Sequence, residues 1–149
     1  MIEIRLATPS DAETIADFQL RQARETEDVQ LQAATALKGV QAVFSDEAKG
    51  QYWIAEVNGQ AAGCLMTSRQ WSDWRNKAVL WMDSIYVLKE FRRRGVLRSF
   101  YEHCRKMVSR DESLFGIRLY VVKSNTVAVK SYESMGMDGE HYHMYEWIQ

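Results

Sequence analysis

Residues 84–96, SIYVLKEFRRRGV, are the stretch on which the reading of this chain turns. Ile85, Tyr86 and Val87 end a run of β-type side chains that begins near Val79, and the basic residues Arg92, Arg93 and Arg94 form a turn. Gly95 then opens a helix. Val96, Leu97, Phe100, Tyr101, Cys104, Met107 and Val108 fall on one side of that helix, and Arg98, Glu102, His103, Arg105 and Lys106 on the other. A strand that ends in a basic turn and a helix start suits an anion. The first helical N–H groups have no intrahelical acceptor and sit at the positive end of the macrodipole, and glycine lets a phosphate come close to the backbone.

Working outward, Phe115 to Val122 reads as a further strand, which makes a strand–helix–strand unit and implies a parallel pair. Upstream, Ile2, Ile4 and Leu6 alternate with Glu3 and Arg5 as a half-buried strand does. Ser10 and Glu13 are spaced as a capping box for a helix that runs to about Arg24, and Leu31 to Phe44 has the period of a second helix. Tyr52 to Val57 and Ala61 to Thr67 flank Asn58-Gly59, the strongest short hairpin signal. Downstream, Ser124 to Met135 reads as the last helix with Gly136 at its left-handed end, and His141 to Ile148 as a closing strand. The expected fold is a mixed α/β (α+β) domain over residues 1–149, with about six to seven strands and about four helices, antiparallel at the N-terminus and parallel at the centre.

The chain of 149 residues has a formal net charge of −1, which suits one domain and gives no global field for nucleic acid or an anionic membrane. Cys64 and Cys104 lack a CxxC spacing and sit among apolar residues, which favours buried thiols in a reducing, cytoplasmic setting. No stretch approaches the ~20 apolar residues of a membrane span.

Ile85, Tyr86, Val87, Glu90, Phe91, Arg92, Arg93, Arg94, Gly95 and Val96 resemble the central motif of the GNAT acetyltransferases. Leu97 departs from it, standing where a second small residue is usual. Leu80 to Val87 resembles the matching strand of the diamine acetyltransferases, and Asn125, Ala128, Tyr132, Gly136 and Met137 are similar to the family's second cofactor motif. The resemblance implies acetyl transfer from acetyl-CoA to a primary amine through a tetrahedral intermediate. It places coenzyme A on Ile85, Tyr86, Val87, Arg92, Arg93, Arg94, Gly95, Val96, Leu97, Arg98, Asn125 and Tyr132. Tyr132 would protonate the leaving thiolate, or is core on the helical pattern alone. Asp83 would be the base, where the diamine enzymes carry a glutamate, or is a strand-end carboxylate paired with an arginine; Glu56 and Asp73 are weaker substitutes. Asn125 contacts cofactor, caps its helix, or does both.

The acceptor the resemblance implies is a small-molecule or peptide amine. Trp71, Asp73, Trp74 and Arg75, within a recognition loop over residues 70–76, offer aromatic walls and an acid for a cation, an arginine for a carboxylate, or tryptophans that simply pack the loop. Glu25, Glu27 and Asp28 are either a second cation-facing wall or solvated charge. His141 and His143 share a strand face without a convincing third ligand, so no metal is expected. The closing strand offers a place for a homodimer to pair. Two rival readings are an acyl-CoA sensor without catalysis and a phosphate- or nucleic-acid-binding module built on the arginines; no nucleic acid or membrane partner is expected.

Overall fold

A computed structural model describes residues 1–149. Two compact units divide the chain, Met1–Leu119 and Tyr120–Gln149.

The first unit is built on a five-stranded sheet in sequence order, β1 (Ile2–Leu6), β2 (Gln51–Val57), β3 (Gln60–Ser72), β4 (Lys77–Val87) and β5 (Leu114–Arg118). β1 to β4 pair antiparallel and β4 with β5 parallel, as the sequence pattern implies. Asn58 and Gly59 both have positive φ, 52° and 79°, the backbone that matches a two-residue turn to strand twist. α1 (Ala12–Glu27) and α2 (Ala33–Ser45) follow β1, and α3 (Val96–Arg110) joins β4 to β5.

Adjacent residues of β2 show which helices cover which face. Tyr52 meets Phe44 of α2 at 5.8 Å between ring centres, whereas Trp53 meets His103 of α3 at 4.3 Å. Successive strand residues point to opposite faces, so α2 and α3 lie on opposite sides of the sheet. Phe18 of α1 packs against Tyr86 at 5.5 Å, on α1's side of β4. Ile15, Ile54, Leu65, Leu80, Met82 and Phe100 are fully buried between the layers. Cys64 and Cys104 are buried free thiols, and burial pushes both up to about 12.

Three expectations need correction. The sheet has five strands rather than six to seven. Residues 141–149 are irregular and exposed, because strand-type side chains do not make a strand without a neighbour to take up the backbone hydrogen bonds. The helix start is also displaced: Asp11, not Glu13, accepts the N–H of Thr8 at 2.8 Å, and a single tight turn over Pro9–Asp11 precedes α1. Arg5 fixes Asp11 there with two 2.9 Å hydrogen bonds while reaching Glu56 at 2.7 Å, which ties β1 to β2 and to the first helix.

The second unit holds α4 (Thr126–Ser134). Asn125 Oδ1 accepts the Ala128 N–H at 3.2 Å, so the capping role is realised. At the other end Gly136, φ 88°, donates to Glu133 O at 2.9 Å and Met137 to Tyr132 O at 3.1 Å, the paired bonds that stop a helix on a left-handed residue. No helix of the chain is long and apolar enough to cross a membrane.

Candidate functional site

The strongest candidate lies where β4 loses one of its neighbours. Its pairs with β5 run from Ala78 opposite Leu114 to Trp81 opposite Arg118 and stop. β4 continues to Val87 with only β3 beside it. Met82 to Val87 therefore presents an open strand edge, able to accept an extended ligand by main-chain hydrogen bonds.

Within that edge the strand is bulged. Cys64 pairs with Tyr86 and Met66 with Asp83, so Ser84 and Ile85 together oppose the single residue Leu65. Ser84 takes up the extra length with φ 51°, a left-handed value uncommon for a residue with a side chain. Close approach of β3 permits this geometry: a Cβ on Gly63 would lie 2.4 Å from the Tyr86 carbonyl oxygen.

Asp83 sits next to the bulge. It is half-buried, forms no ion pair or side-chain hydrogen bond, and burial alone raises its pKa. The expected pairing with an arginine is not made. A carboxylate poised above its usual range at an open edge is suited to take a proton.

At the C-terminal end of the edge, Lys89–Phe91 makes a short turn and the chain enters the basic run. Arg93 and Gly95 both have positive φ, 61° and 90°. The first backbone bond of α3 is Ser99 N–H to Gly95 O at 2.9 Å, so the amides of Gly95, Val96, Leu97 and Arg98 precede the helical ladder. Val96 is buried and Leu97 half-buried, while Arg93, Arg94, Gly95 and Arg98 are exposed. A helix N-terminus with free amides and basic side chains is suited to hold a phosphate.

Arg92 is employed differently from its neighbours. Its Nε donates to Val87 O at 2.8 Å, and its guanidinium pairs with Glu25 on α1. Glu25 also accepts the Tyr86 hydroxyl at 2.9 Å and lies 3.8 Å from Lys89. Burial raises the Glu25 pKa, but hydrogen bonds from Arg92 and Tyr86 outweigh it and leave the carboxylate below its ordinary value. Of the three acids at the end of the first helix, Glu25 is thus a latch between α1 and the basic run. A cleft of about 480 Å³ opens beside it, between Asp17, Arg21 and Arg24 of α1 and Tyr86, Lys89 and Glu90.

Trp71, Asp73, Trp74 and Arg75 are not brought to this edge. Gln70 to Ser72 belong to β3, with Trp71 opposite Ala78, so the expected loop is reduced to a hairpin tip. From Lys77 to Asp83, β4 spans about 20 Å at its usual rise per residue. Trp71 and Trp74 are exposed, and the Arg75 guanidinium lies 4.4 Å from the centre of the Phe115 ring. Asp73 accepts the N–H of Trp74 at 3.1 Å. His141 and His143 lie in the irregular tail, so no strand gives them a common face. Tyr132 is half-buried on α4, and burial pushes its phenol up to about 12.

Sequence reasoning missed Gln19 and Glu25 as supports of the edge. Gln19 Nε2 donates to the Ser84 carbonyl and to Cys64 Sγ, each at 3.3 Å. Gln19 lies in the helical run that ends near Arg24, and nothing in the local sequence shows that its side chain reaches Ser84 and Cys64.

The family model of the acetyltransferase (GNAT) family matches residues 12–137. A structure of a possible acetyltransferase from Clostridium difficile 630 is 40% identical, covers 100% of this chain and 98% of its own, and superposes with a TM-score of 0.91. The aminoglycoside N-acetyltransferase AAC(6')-Iy in complex with CoA is similar in fold at 15% identity, over 100% of this chain and 95% of its own, with a TM-score of 0.80. A ribosomal-protein-alanine N-acetyltransferase from Brucella melitensis biovar Abortus 2308 is similar at 16% identity, over 99% and 100%, with a TM-score of 0.79. No curated protein matches this sequence.

Proposed function

Since the chain belongs to the acetyltransferase (GNAT) family, we propose that it transfers the acetyl group of acetyl-CoA to a primary amine of a small molecule or peptide. The observation that carries this reading is the open edge Met82–Val87, with an unpaired Asp83 beside its bulge and a basic helix N-terminus suited to phosphate at its end. The pyrophosphate of coenzyme A would bind the amides at Gly95, Val96, Leu97 and Arg98, with Arg93 and Arg94 alongside. The pantetheine would lie along Ile85, Tyr86 and Val87 as an added strand does. Arg92 contributes through its backbone position, its side chain being held by Glu25 and Val87.

The chemistry makes three demands. An ammonium of pKa near ~10 must lose its proton before attack, a task given to Asp83 directly or through a water. The amine nitrogen then bonds to the acyl carbon while the carbonyl π pair moves to oxygen, where a main-chain N–H of the bulge receives it. As the pair returns, the C–S bond breaks and the thiolate takes a proton, the role the family resemblance gives to Tyr132; the added nitrogen gives up its second proton to water as the amide forms, and the phenolate regains one from water. A phenol pushed up to about 12 is protonated at neutral pH and can donate. Coenzyme A supplies the activated acyl group, and Asn125 caps α4, the helix that carries Tyr132.

The acceptor is left open by the fold itself, since its relatives act on chemically unlike amines, an aminoglycoside and a protein alanine. Isothermal titration with acetyl-CoA and CoA, followed by a thiol-release screen of polyamines, amino acids, aminoglycosides and peptide amines, tests the proposal. Binding of both nucleotides with thiol release on one amine class is expected. Failure to bind either nucleotide would overturn it and return the arginines to the phosphate-binding reading.

A further inference from the structure

The Ser84 carbonyl is the unusual group in the bulge. In a regular strand it would serve the ladder, but the left-handed φ of Ser84 turns it out of register. Two side chains meet it there: Gln19 Nε2 donates from α1 at 3.3 Å, and Cys64 Sγ donates from β3 at 3.6 Å. Gln19 also donates to Cys64 Sγ at 3.3 Å, so the three groups close a triangle. Cys64 is completely buried and Gln19 half-buried, which makes an unpaired donor or acceptor there costly.

A trans peptide is planar, with its C=O and N–H pointing in opposite directions. Holding the Ser84 carbonyl toward α1 and β3 therefore aims the Ile85 N–H away from both, to the side of β4 that β5 has left. We propose that Gln19 and Cys64 are positioning residues for acetyl transfer, clamping the Ser84–Ile85 peptide so that the Ile85 N–H meets the thioester carbonyl oxygen. This rests on the acetyltransferase reading above. The clamp acts before reaction: it fixes a donor where charge develops as the amine adds to the acyl carbon, so no reorganisation is needed in the transition state. Neither side chain touches substrate.

Gln19→Met keeps the shape and removes the donor. Its kcat is expected to fall about 10- to 100-fold, short of the loss of a whole oxyanion donor, while CoA affinity and the amine KM stay within about threefold. A merely structural glutamine would lower melting temperature, CoA affinity and kcat together, and that pattern, or an unchanged kcat, overturns the proposal. The Ile85 amide resonance in a ¹⁵N–¹H spectrum reads the clamp without any substrate. It should move in Gln19→Met more than the amides of β1 or β2, and an unmoved Ile85 sinks the clamp. If the wild-type chain transfers no acetyl group, the functional reading fails while this resonance still decides whether the peptide is held. Should Gln19→Met not fold, Cys64→Ser, which keeps a donor, is expected to retain kcat that Cys64→Ala loses; equal activities would overturn the assignment.

Discussion

At its N-terminal end β4 has neighbours on both sides, with Ala78 opposite Trp71 of β3 and beside Leu114 of β5; from Met82 to Val87 only β3 accompanies it. The first end carries the more conspicuous residues, two tryptophans, an acid and an arginine within Trp71–Arg75. The second carries Asp83 and Ser84 among apolar neighbours. Yet the conspicuous end has its backbone paired and its Arg75 stacked on Phe115, while the quiet end holds a left-handed serine, a missing strand partner and an unpaired carboxylate. An open strand edge and an unpaired carboxylate keep hydrogen-bonding capacity for a ligand, which a paired backbone and a stacked cation have already spent.

The sharpest way to break that comparison is Asp83→Asn. If Asp83 is the base, kcat should fall by about 10² to 10⁴ with CoA affinity unchanged, as read by thiol release and titration. Stability should move the other way. Burial raises the folded-state pKa of Asp83, so the native state holds this proton to higher pH than the unfolded chain does. The contribution to stability is complete below the unfolded-state value and declines as pH rises through the interval up to the raised one, leaving the charged group a net cost at neutral pH. Asp83→Asn should therefore unfold at the same or a higher urea concentration than wild type at pH 7, a combination expected at a functional carboxylate. Wild-type activity should fall on the acid side through a pKa above the ordinary aspartate range.

Gly63→Ala tests whether the bulge depends on close approach. The new methyl would meet the Tyr86 carbonyl at 2.4 Å and Val87 Cα at 3.2 Å, both backbone atoms without a flexible side chain to yield. A destabilisation of about 3 kcal/mol, at the upper end of overpacking costs, is expected in urea unfolding. A change below about 1 kcal/mol would mean that β3 and β4 can part without loss.

How much of this was legible beforehand depends on the range over which each feature is decided. The Asn58-Gly59 turn and the Gly136 helix stop are local, and residues needing positive φ announced them. Strand-type residues followed by a basic turn and Gly95 announced the end of β4 and the start of α3 for the same reason. The bulge was not legible, because Ser84 is neither glycine nor flanked by one, and the groups that meet its carbonyl, Gln19 and Cys64, lie outside the strand. Glu25 reads as one acid among Glu25, Glu27 and Asp28 until the fold brings Arg92 and Tyr86 to it. The closing strand failed in the opposite way: residues 141–148 have the side chains of a strand, but only a neighbour can make them one.

Glu25→Gln probes the latch behind the quiet end. The substitution keeps an acceptor for the Tyr86 hydroxyl but removes the charge that holds Arg92 and attracts Lys89. Because these groups are partly exposed, a loss of about 1 kcal/mol is expected rather than the larger cost of a buried pair. CoA affinity should fall by about three- to tenfold as Arg92 is freed and the turn before α3 loosens. Affinity that is unchanged by titration, with the same loss of stability, would confine Glu25 to holding α1.

The smallest effect belongs to Trp74→Ala at the conspicuous end. Trp74 is 89% exposed, its backbone N–H already accepted by Asp73, so truncation removes little packing and should change stability by less than about 0.5 kcal/mol. With about 20 Å of β4 between Lys77 and Asp83, kcat and the amine KM should stay within about twofold on a small amine. Trp71, less exposed at 63% and anchored in β3, provides the internal control, since its loss should cost more stability than that of Trp74 without touching catalysis. A raised amine KM in Trp74→Ala alone, with kcat kept, would instead assign the tip to acceptor binding, by an acceptor long enough to run along β4 or by the tip of a second copy brought to the edge. Repeating the assay with a long polyamine and a short amine separates these outcomes: the long acceptor alone should feel the loss if it spans the strand, whereas both should feel it, with a dependence on protein concentration, if a second copy supplies the tryptophan.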